Sequence, residues 1–599
     1  MKAMRLIYTY LTGSKLDRFA IRTKLLNRVG FNKYKIKDYI YKNLVDVSKL
    51  MSVDTIEENV YMHYMKHEFN FLGLGWKNWN KKSQSTNDGY VKIAWNTDVK
   101  SGYIFATSYD NSDFLKGIPQ GTDIKNPWEL ARMQHWPQLA LYGLCNNHER
   151  QKIQTEFRNQ MRDFIECNPV GQGVHFFCAM EIAIRAINLM ISYDIISQYE
   201  DMSFDEEFVS IFETYLYSHY QAIINRLEKN YFTGHTGNHY LTDLCGLLWI
   251  SMYFESLETK RLLIAVIAEL RKEEKKQFTD SGSNFECSTG YHILASEILG
   301  LSFFAIGNIE DKEIQDKDIE RLSDLKKILN IFEARDHRII QIGDNDSGRV
   351  LKLNPLYIGE KEDCLNPIEV KGMLDYMLSR TQSGTYSMLL ESYHSENNVQ
   401  ARKNDDYFDD LDPQMVNNAK YIYKKSQTID VGLGKIVRID KIHDFGLLKV
   451  ICEHADVYIR TVPDYKQMDT SHAHDDVFSY QIITDKQRIH EDLGSIVYTS
   501  DKAKREYYAC ARSHGIPEHS IAMVKRLDTF KTSVSVVGYA YIDESTISVE
   551  AKWDGITHKR VFVIDTDKIQ INDFSNEDFE VHEFTDKYYS LGYGQLYER

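Results

Sequence analysis

At 599 residues the chain is too long for one compact core, so two or three domains are expected. Its 43% hydrophobic and 27% charged residues are those of an ordinary globular protein, which excludes a long disordered tract. A formal net charge of −15 argues against nucleic acid as a partner, since such binding relies on clustered Lys and Arg, but it leaves room for a local cationic cleft.

Within residues 1–30, Lys2, Arg5, Lys15, Arg18, Arg22 and Lys24 interrupt every apolar stretch, so no signal-peptide core is read there. No later stretch reaches the roughly 18 apolar residues of a membrane span. The eight cysteines form no CxxC pair and are expected to be reduced. Together these features place the chain as soluble and cytoplasmic. Residues 1–120 are expected to be mostly helical, without further assignment.

No proline occurs between Pro169 and Pro355, which a long run of helices permits. Helical spacing recurs in Phe208, Ile211, Phe212, Tyr215, Tyr220, Ile223, Ile224 and Leu227, and in Ile319, Leu322, Leu325, Ile328, Leu329 and Phe332. Further helices are predicted at 128–144, 150–166, 178–197, 240–256, 259–275 and 291–306. Their short polar connections favour antiparallel hairpins, an order compatible with a toroid, although periodicity does not show closure. The helical part is bounded at 121–380.

After residue 380 the period becomes 2. Strands are predicted at 386–390, 447–451, 457–462, 478–483, 533–542, 547–553 and 560–572, and Asp554-Gly555 signals a hairpin. Residues 381–599 therefore read as an antiparallel sandwich, with a polar surface excursion at 393–430. The fold class is multidomain α+β.

Three patches concentrate reactive residue types. Gly237-Asn238-His239-Tyr240 opens an apolar helix, where Asn or His serves equally as a cap. Phe285-Glu286-Cys287-Ser288-Thr289-Gly290-Tyr291-His292 opens another. Ser471-His472-Ala473-His474-Asp475-Asp476 leads into a strand; if that strand begins early enough, His472 and His474 face the same way. The H-x-H spacing suits a metal, with Asp492 and His514 as further ligands of a tetrahedral zinc; solvated loop histidines are the competing reading. The string Asp344-Asn345-Asp346-Ser347-Gly348-Arg349 is no calcium loop, because its Gly falls one position early and Pro355 replaces the closing Glu. It reads as a tight turn bringing Asp344 or Arg349 toward a cleft.

Taken together, these patches resemble the heparinase II/III family of polysaccharide lyases. Asn238-His239 matches an Asn-His pair at a helix start, and Tyr291-His292 a Tyr-His in an F-E-x-S-x-x-Y-H setting. His472-Ala473-His474-Asp475-Asp476 and Asp492-Leu493-Gly494 match the sandwich motifs H-x-H-x-D and D-x-G. Cys510-Ala511-Arg512-Ser513-His514 matches an S-x-x-A-H stretch, with His519 as the alternative histidine. Weaker likenesses lie at Pro127-Trp128-Glu129-Leu130-Ala131-Arg132 and at Cys178-Ala179-Met180-Glu181-Ile182-Ala183-Ile184-Arg185, both similar to members from surface-polysaccharide gene clusters. The resemblance spans residues 120–570.

It implies an N-terminal α/α toroid followed by a C-terminal antiparallel β-sandwich, and β-elimination on an acidic, uronic-acid-containing polysaccharide. Tyr291 would be base and then acid, with His472 or His239 as second proton-transfer group and Asn238 offsetting developing charge. Arg132, Arg185, His292 and Arg349 would bind substrate, and His474, Asp492 and His514 would hold a structural zinc. Where relatives carry Asn-Trp, this chain has His175-Phe176-Phe177, so heparin itself is not assumed. With no leader read, the substrate expected is a capsule or O-antigen polymer. A binding or assembly protein and a zinc-dependent glycan hydrolase stay open as alternatives, as does a homodimer.

Overall fold

The computed structural model describes residues 13–28, 40–41, 47, 50, 55–86, 89–107, 117–200, 202–230, 233–255, 257–309, 314–379, 421–464, 470–497, 500–519, 537–543, 545–581, 588–595 and 597–598. The strand expected at 386–390 and residues 393–420 of the excursion expected at 393–430 lie outside these residues; the end of that excursion, Tyr423–Asp430, is instead a strand.

Among the described residues, twelve α-helices precede the two large sheets: α1 (Lys15–Arg28), α2 (Glu58–Tyr64), α3 (Lys125–Ala131), α4 (His135–Cys145), α5 (Arg150–Cys167), α6 (Ala179–Ile196), α7 (Glu206–Asn225), α8 (Asn238–Tyr253), α9 (Leu257–Gln277), α10 (Thr289–Gly307), α11 (Asp316–Phe332) and α12 (Ile368–Ser379). Alternate helices pack side by side, α4 on α6, α6 on α8, α8 on α10 and α10 on α12, and the helices between them lie outside. This double layer is the arrangement of an α/α toroid. The layers differ in sequence accordingly. Every residue of α6 is buried, and nearly every residue of α8 and α10, so these inner helices are apolar all round. Outer α5 buries one apolar stripe, Ile153, Phe157, Met161 and Phe164, and leaves Lys152, Arg162 and Glu166 to solvent while Arg150 and Asp163 turn inward.

The single helix expected at 128–144 is two. Met133 adopts φ 57, which ends α3, and Pro137 falls in the first turn of α4, where its missing N–H costs nothing. Apolar spacing runs through the break, so periodicity alone hides it. The first 120 residues also differ from the mostly helical expectation: six short strands in three antiparallel pairs lie between Glu68 and Ile104. They are pinned to α5 by Asp163, whose carboxylate accepts from the Ile93 backbone N–H at 2.8 Å and from Trp95 Nε1 at 3.0 Å. Contrary to the expectation that no segment is long and apolar enough to cross a membrane, α10 is; here it is a buried core helix.

The final part is two five-stranded antiparallel sheets built from β1 (Tyr423–Asp430), β2 (Ile436–Ile442), β3 (Leu447–Cys452), β4 (Ala455–Arg460), β5 (Tyr480–Thr484), β6 (Arg488–His490), β7 (Val537–Asp543), β8 (Thr546–Trp553), β9 (Ile556–Ile564) and β10 (Lys568–Ser575). The orders are β1-β10-β9-β8-β7 and β2-β3-β4-β5-β6. Asp554 and Gly555, at φ 41 and 83, make the tight β8–β9 hairpin. The second sheet is a middle layer, and period-2 alternation divides its side chains. Val450, Val457, Ile459 and Ile482 meet Ile547, Val549, Phe562 and Ile571 of the first sheet. Lys449, Tyr458 and Gln481 turn the other way and donate to the carbonyls of Glu333 and Gln341 in the helical part, at 2.6, 3.0 and 2.8 Å. Arg335 reaches back to Asp456 at 3.2 Å.

His135, His175 and His292 are among the imidazoles sealed in the helical layers. Burial pushes His135, His175 and His292 each down to about 3. Between pH 6.5 and 3 the unfolded chain takes up a proton at each ring that the folded chain refuses, so stability falls as pH falls. At pH 5 the loss is about 2 kcal/mol per ring. Thermal unfolding at pH 7 and pH 5 should show a lower Tm at pH 5, and His135→Asn should flatten that slope; a flat wild-type profile would refute the account.

Candidate active site

The site lies where the loop after α11 meets the sandwich. Asp344 is fully buried there, and its carboxylate is 3.2 Å from His472 Nδ1 and 3.2 Å from His474 Nε2. It also accepts from Ser495 Oγ at 3.1 Å and Arg505 Nη2 at 2.6 Å. Burial alone would raise its pKa; the bonds to His472 and His474, with Arg505, hold it well below the usual carboxylate range. Its own backbone N–H donates to His472 O at 2.9 Å. The preceding Gly343 permits this approach, because at φ +71 a Cβ would stand 2.6 Å from His472 O and 2.9 Å from Cys287 O.

Strand alternation is not what aligns the two histidines. Residues 470–472 form a 3-10 turn and β5 begins only at Tyr480, so both rings reach Asp344 from an irregular loop.

Tyr291 stands in the first turn of α10, whose cap is Ser288: the Ser288 hydroxyl accepts from Tyr291 N at 3.2 Å and donates to Asp344 O. The Tyr291 ring stacks on His472 with centroids 3.8 Å apart and planes 18° off parallel. Its hydroxyl donates to Asp346 Oδ2 at 3.1 Å, and Lys125 Nζ is 2.6 Å from the same oxygen. Burial raises the Asp346 pKa, but Lys125, then Arg132 and His472, bring it well below the usual range. Arg132 itself is buried in ion pairs with Glu181 and Glu129 and acts on the site through its field.

Asn238 is the first residue of α8. Its Nδ2 donates to both oxygens of Glu286, at 3.1 and 2.8 Å, and its backbone N–H to Glu286 Oε1 at 2.9 Å. A carboxylate of the chain thus occupies the donors expected to face substrate. His239, next along and half-exposed, pairs with Glu228 at 3.0 Å and lies 3.7 Å from Cys178 Sγ. Burial lowers its pKa, but Glu228 raises it to about 9.

Behind His472, the buried residues His474, Asp492 and His514 bring donor atoms within 4.8 Å of one another. His514 Nδ1 is 2.6 Å from Asp492 Oδ2, and its Nε2 is 3.2 Å from His474 Nδ1. Two imidazoles and a carboxylate in a sealed pocket fit a zinc ion. His519 is placed elsewhere, 3.0 Å from His558 in the sandwich.

Three of the expected substrate-binding residues turn inward. Arg185 is wholly buried on α6, where it donates to His219 Nε2 at 2.9 Å and His175 O at 3.0 Å between the rings of Phe164 and Phe176. His292 is buried, neutral, and accepts from the Asn284 backbone N–H at 3.2 Å. Arg349 bridges Glu297 and Glu369, at 3.0 and 3.2 Å, tying α10 to α12. Residues that the sequence reading did not assign to the site are Asp346, Lys125, Arg505, Ser495, Glu286 and Glu228. Only Asp346, in the Asp344–Arg349 string, and Glu286, in the Tyr291 motif, carried any local signal.

A double-layered helical toroid and a β-sandwich thus meet at a Tyr–His–Asp cluster. Residues 38–324, from before α2 into α11 and just under half of the chain, match the family model Heparinase II/III N-terminus. Among solved structures, heparinase III aligns with a TM-score of 0.51 at 13% identity, covering 91% of this chain and 75% of that one. Heparan sulfate lyase HepC from Pedobacter heparinus aligns at 0.42 and 14%, covering 93% and 74%. The likeness to heparinase III is one of fold. Among curated proteins none matches.

Gly343→Ala should destabilise the protein by about 1–3 kcal/mol in urea unfolding. Gly359→Ala, equally left-handed but with open space around it, should cost only about 1 kcal/mol. Equal losses at the two positions would show that the contact with His472 O does not constrain the loop.

Proposed function

We propose that this protein is a polysaccharide lyase that cleaves a uronic-acid-containing polymer by β-elimination. One observation carries the reading: Tyr291 and His472 are stacked, and the polar end of each is held by its own aspartate, partly exposed Asp346 for the tyrosine and buried Asp344 for the histidine. In the reaction, the C5–H bond of a uronate breaks, its electron pair forms the C4=C5 double bond, the C4–O bond breaks, and the leaving oxygen takes up a proton. No water is consumed.

Asp344 accepts from His472 Nδ1–H, the tautomer that leaves the lone pair on Nε2, and this suits His472 to remove the C5 proton. Tyr291, with its proton held toward Asp346, suits delivery to the leaving oxygen. The N-termini of α8 and α10 lie on this rim with Lys125 and Arg505, whose charges are paired with Asp346 and Asp344. The resemblance gives Tyr291 both proton transfers. That version needs a phenolate beside Asp346, whose charge opposes it and which Lys125 only partly offsets.

His474, His514 and Asp492 would hold a structural zinc, which would brace the 470–474 loop that presents His472.

Incubation with a panel of uronic-acid polysaccharides should generate the ultraviolet absorbance of an unsaturated uronate, and Tyr291→Phe should lower the rate roughly 10²–10⁴-fold. On a substrate whose leaving group needs no proton, Tyr291→Phe should recover if the tyrosine is the acid alone, and stay inactive if it is also the base. Oligosaccharides released without the chromophore would support a zinc hydrolase, and an intact polymer a binding or assembly protein. His514→Ala should lower bound zinc by about one equivalent and reduce Tm.

A further inference from the structure

A second cluster of metal-type donors stands on the same rim, outside the sandwich. Cys178 immediately precedes α6, Glu228 follows α7, and His239 is the second residue of α8. Three elements distant in sequence therefore bring a thiol, a carboxylate and an imidazole together. Cys178 Sγ is 3.3 Å from Glu228 Oε2 and 3.7 Å from His239 Nδ1, and His239 Nδ1 is 3.0 Å from Glu228 Oε1. A tetrahedral zinc with bonds of about 2.3 Å to sulfur and about 2.0 Å to nitrogen and oxygen separates its ligand atoms by roughly 3.3–3.6 Å. The three observed separations straddle that range.

We propose that Cys178, Glu228 and His239 form a metal site for a zinc-class divalent cation, separate from the sandwich cluster. The ligands are held from behind. The Met180 backbone N–H donates to Glu228 Oε2 at 2.9 Å, and the Glu228 backbone N–H donates to Asp243 Oδ2 at 2.7 Å. Cys178 is buried but His239 is half-exposed, so the fourth coordination position opens to solvent. The bound ion clamps the starts of α6 and α8 together beside Asn238.

Cobalt(II) distinguishes the two clusters, because only this one offers sulfur. Metal-free full-length protein titrated with cobalt(II) should develop a near-ultraviolet thiolate-to-cobalt charge-transfer band that saturates near one equivalent. Cys178→Ser, with folding checked by circular dichroism, should abolish the band, and Glu228→Gln should weaken cobalt binding at least roughly tenfold, leaving the thiol in place. His514→Ala should retain the band. A wild-type protein without the band, or a band that survives Cys178→Ser, would overturn the proposal; the first result would leave Glu228 and His239 as an ion pair beside an ordinary buried thiol.

Discussion

A buried carboxylate must find compensation for leaving water, and Asp344 finds it across a domain boundary. It belongs to the helical part, yet His472, His474, Ser495 and Arg505 all belong to the sandwich. Removing any partner would leave charge exposed to a low-dielectric interior, at a cost of several kcal/mol. The two domains are therefore fixed to each other at the point where the chemistry is proposed to occur. The stacking of Tyr291 on His472 follows, because each ring comes from a different domain.

The architecture around that point follows from which elements are buried on one side and which on two. Helices α6, α8 and α10 and the sheet β2–β6 are enclosed on both faces; the outer helices and the sheet containing β7–β10 are the shell. Enclosure explains why the reactive residues cluster at the ends of inner helices. An inner helix has no solvent face, so a polar side chain emerges only where the helix stops. Asn238 and Tyr291 lie in first turns, and Cys178 one residue before one.

The same enclosure decides what could be read from the sequence. Helix followed by sheet was legible from the change of period, and Asp554-Gly555 from its turn chemistry. Residue type at Arg185, His292 and Arg349 was visible, but direction was not: α6 and α10 are apolar all round, so no stripe tells inward from outward. His472 and His474 were found by spacing that mimics a strand, although a turn and an irregular loop carry them. Lys125 and Arg505 are ordinary lysine and arginine until the fold brings them to Asp346 and Asp344. The strand pairs between Glu68 and Ile104 were missed because each is only a few residues long, and the pair containing Ile93 is anchored by Asp163, far along the chain.

The last described residues return to the beginning. Tyr593 donates its hydroxyl to Asp123 Oδ2 at 2.6 Å and its backbone N–H to Ser347 Oγ at 2.9 Å. Gly594 lies so close to Leu72 and Gly73 that a Cβ on Gly73 would stand 2.6 Å from its carbonyl carbon. The order of synthesis and the order of completion are thus different. A ribosome releases the helical layers first, but their wall near Leu72 is finished only when residues 593–594 emerge, so those layers wait, open along one seam, for the whole sandwich to be made. Losing residues 593–594 would then injure the first domain before the last.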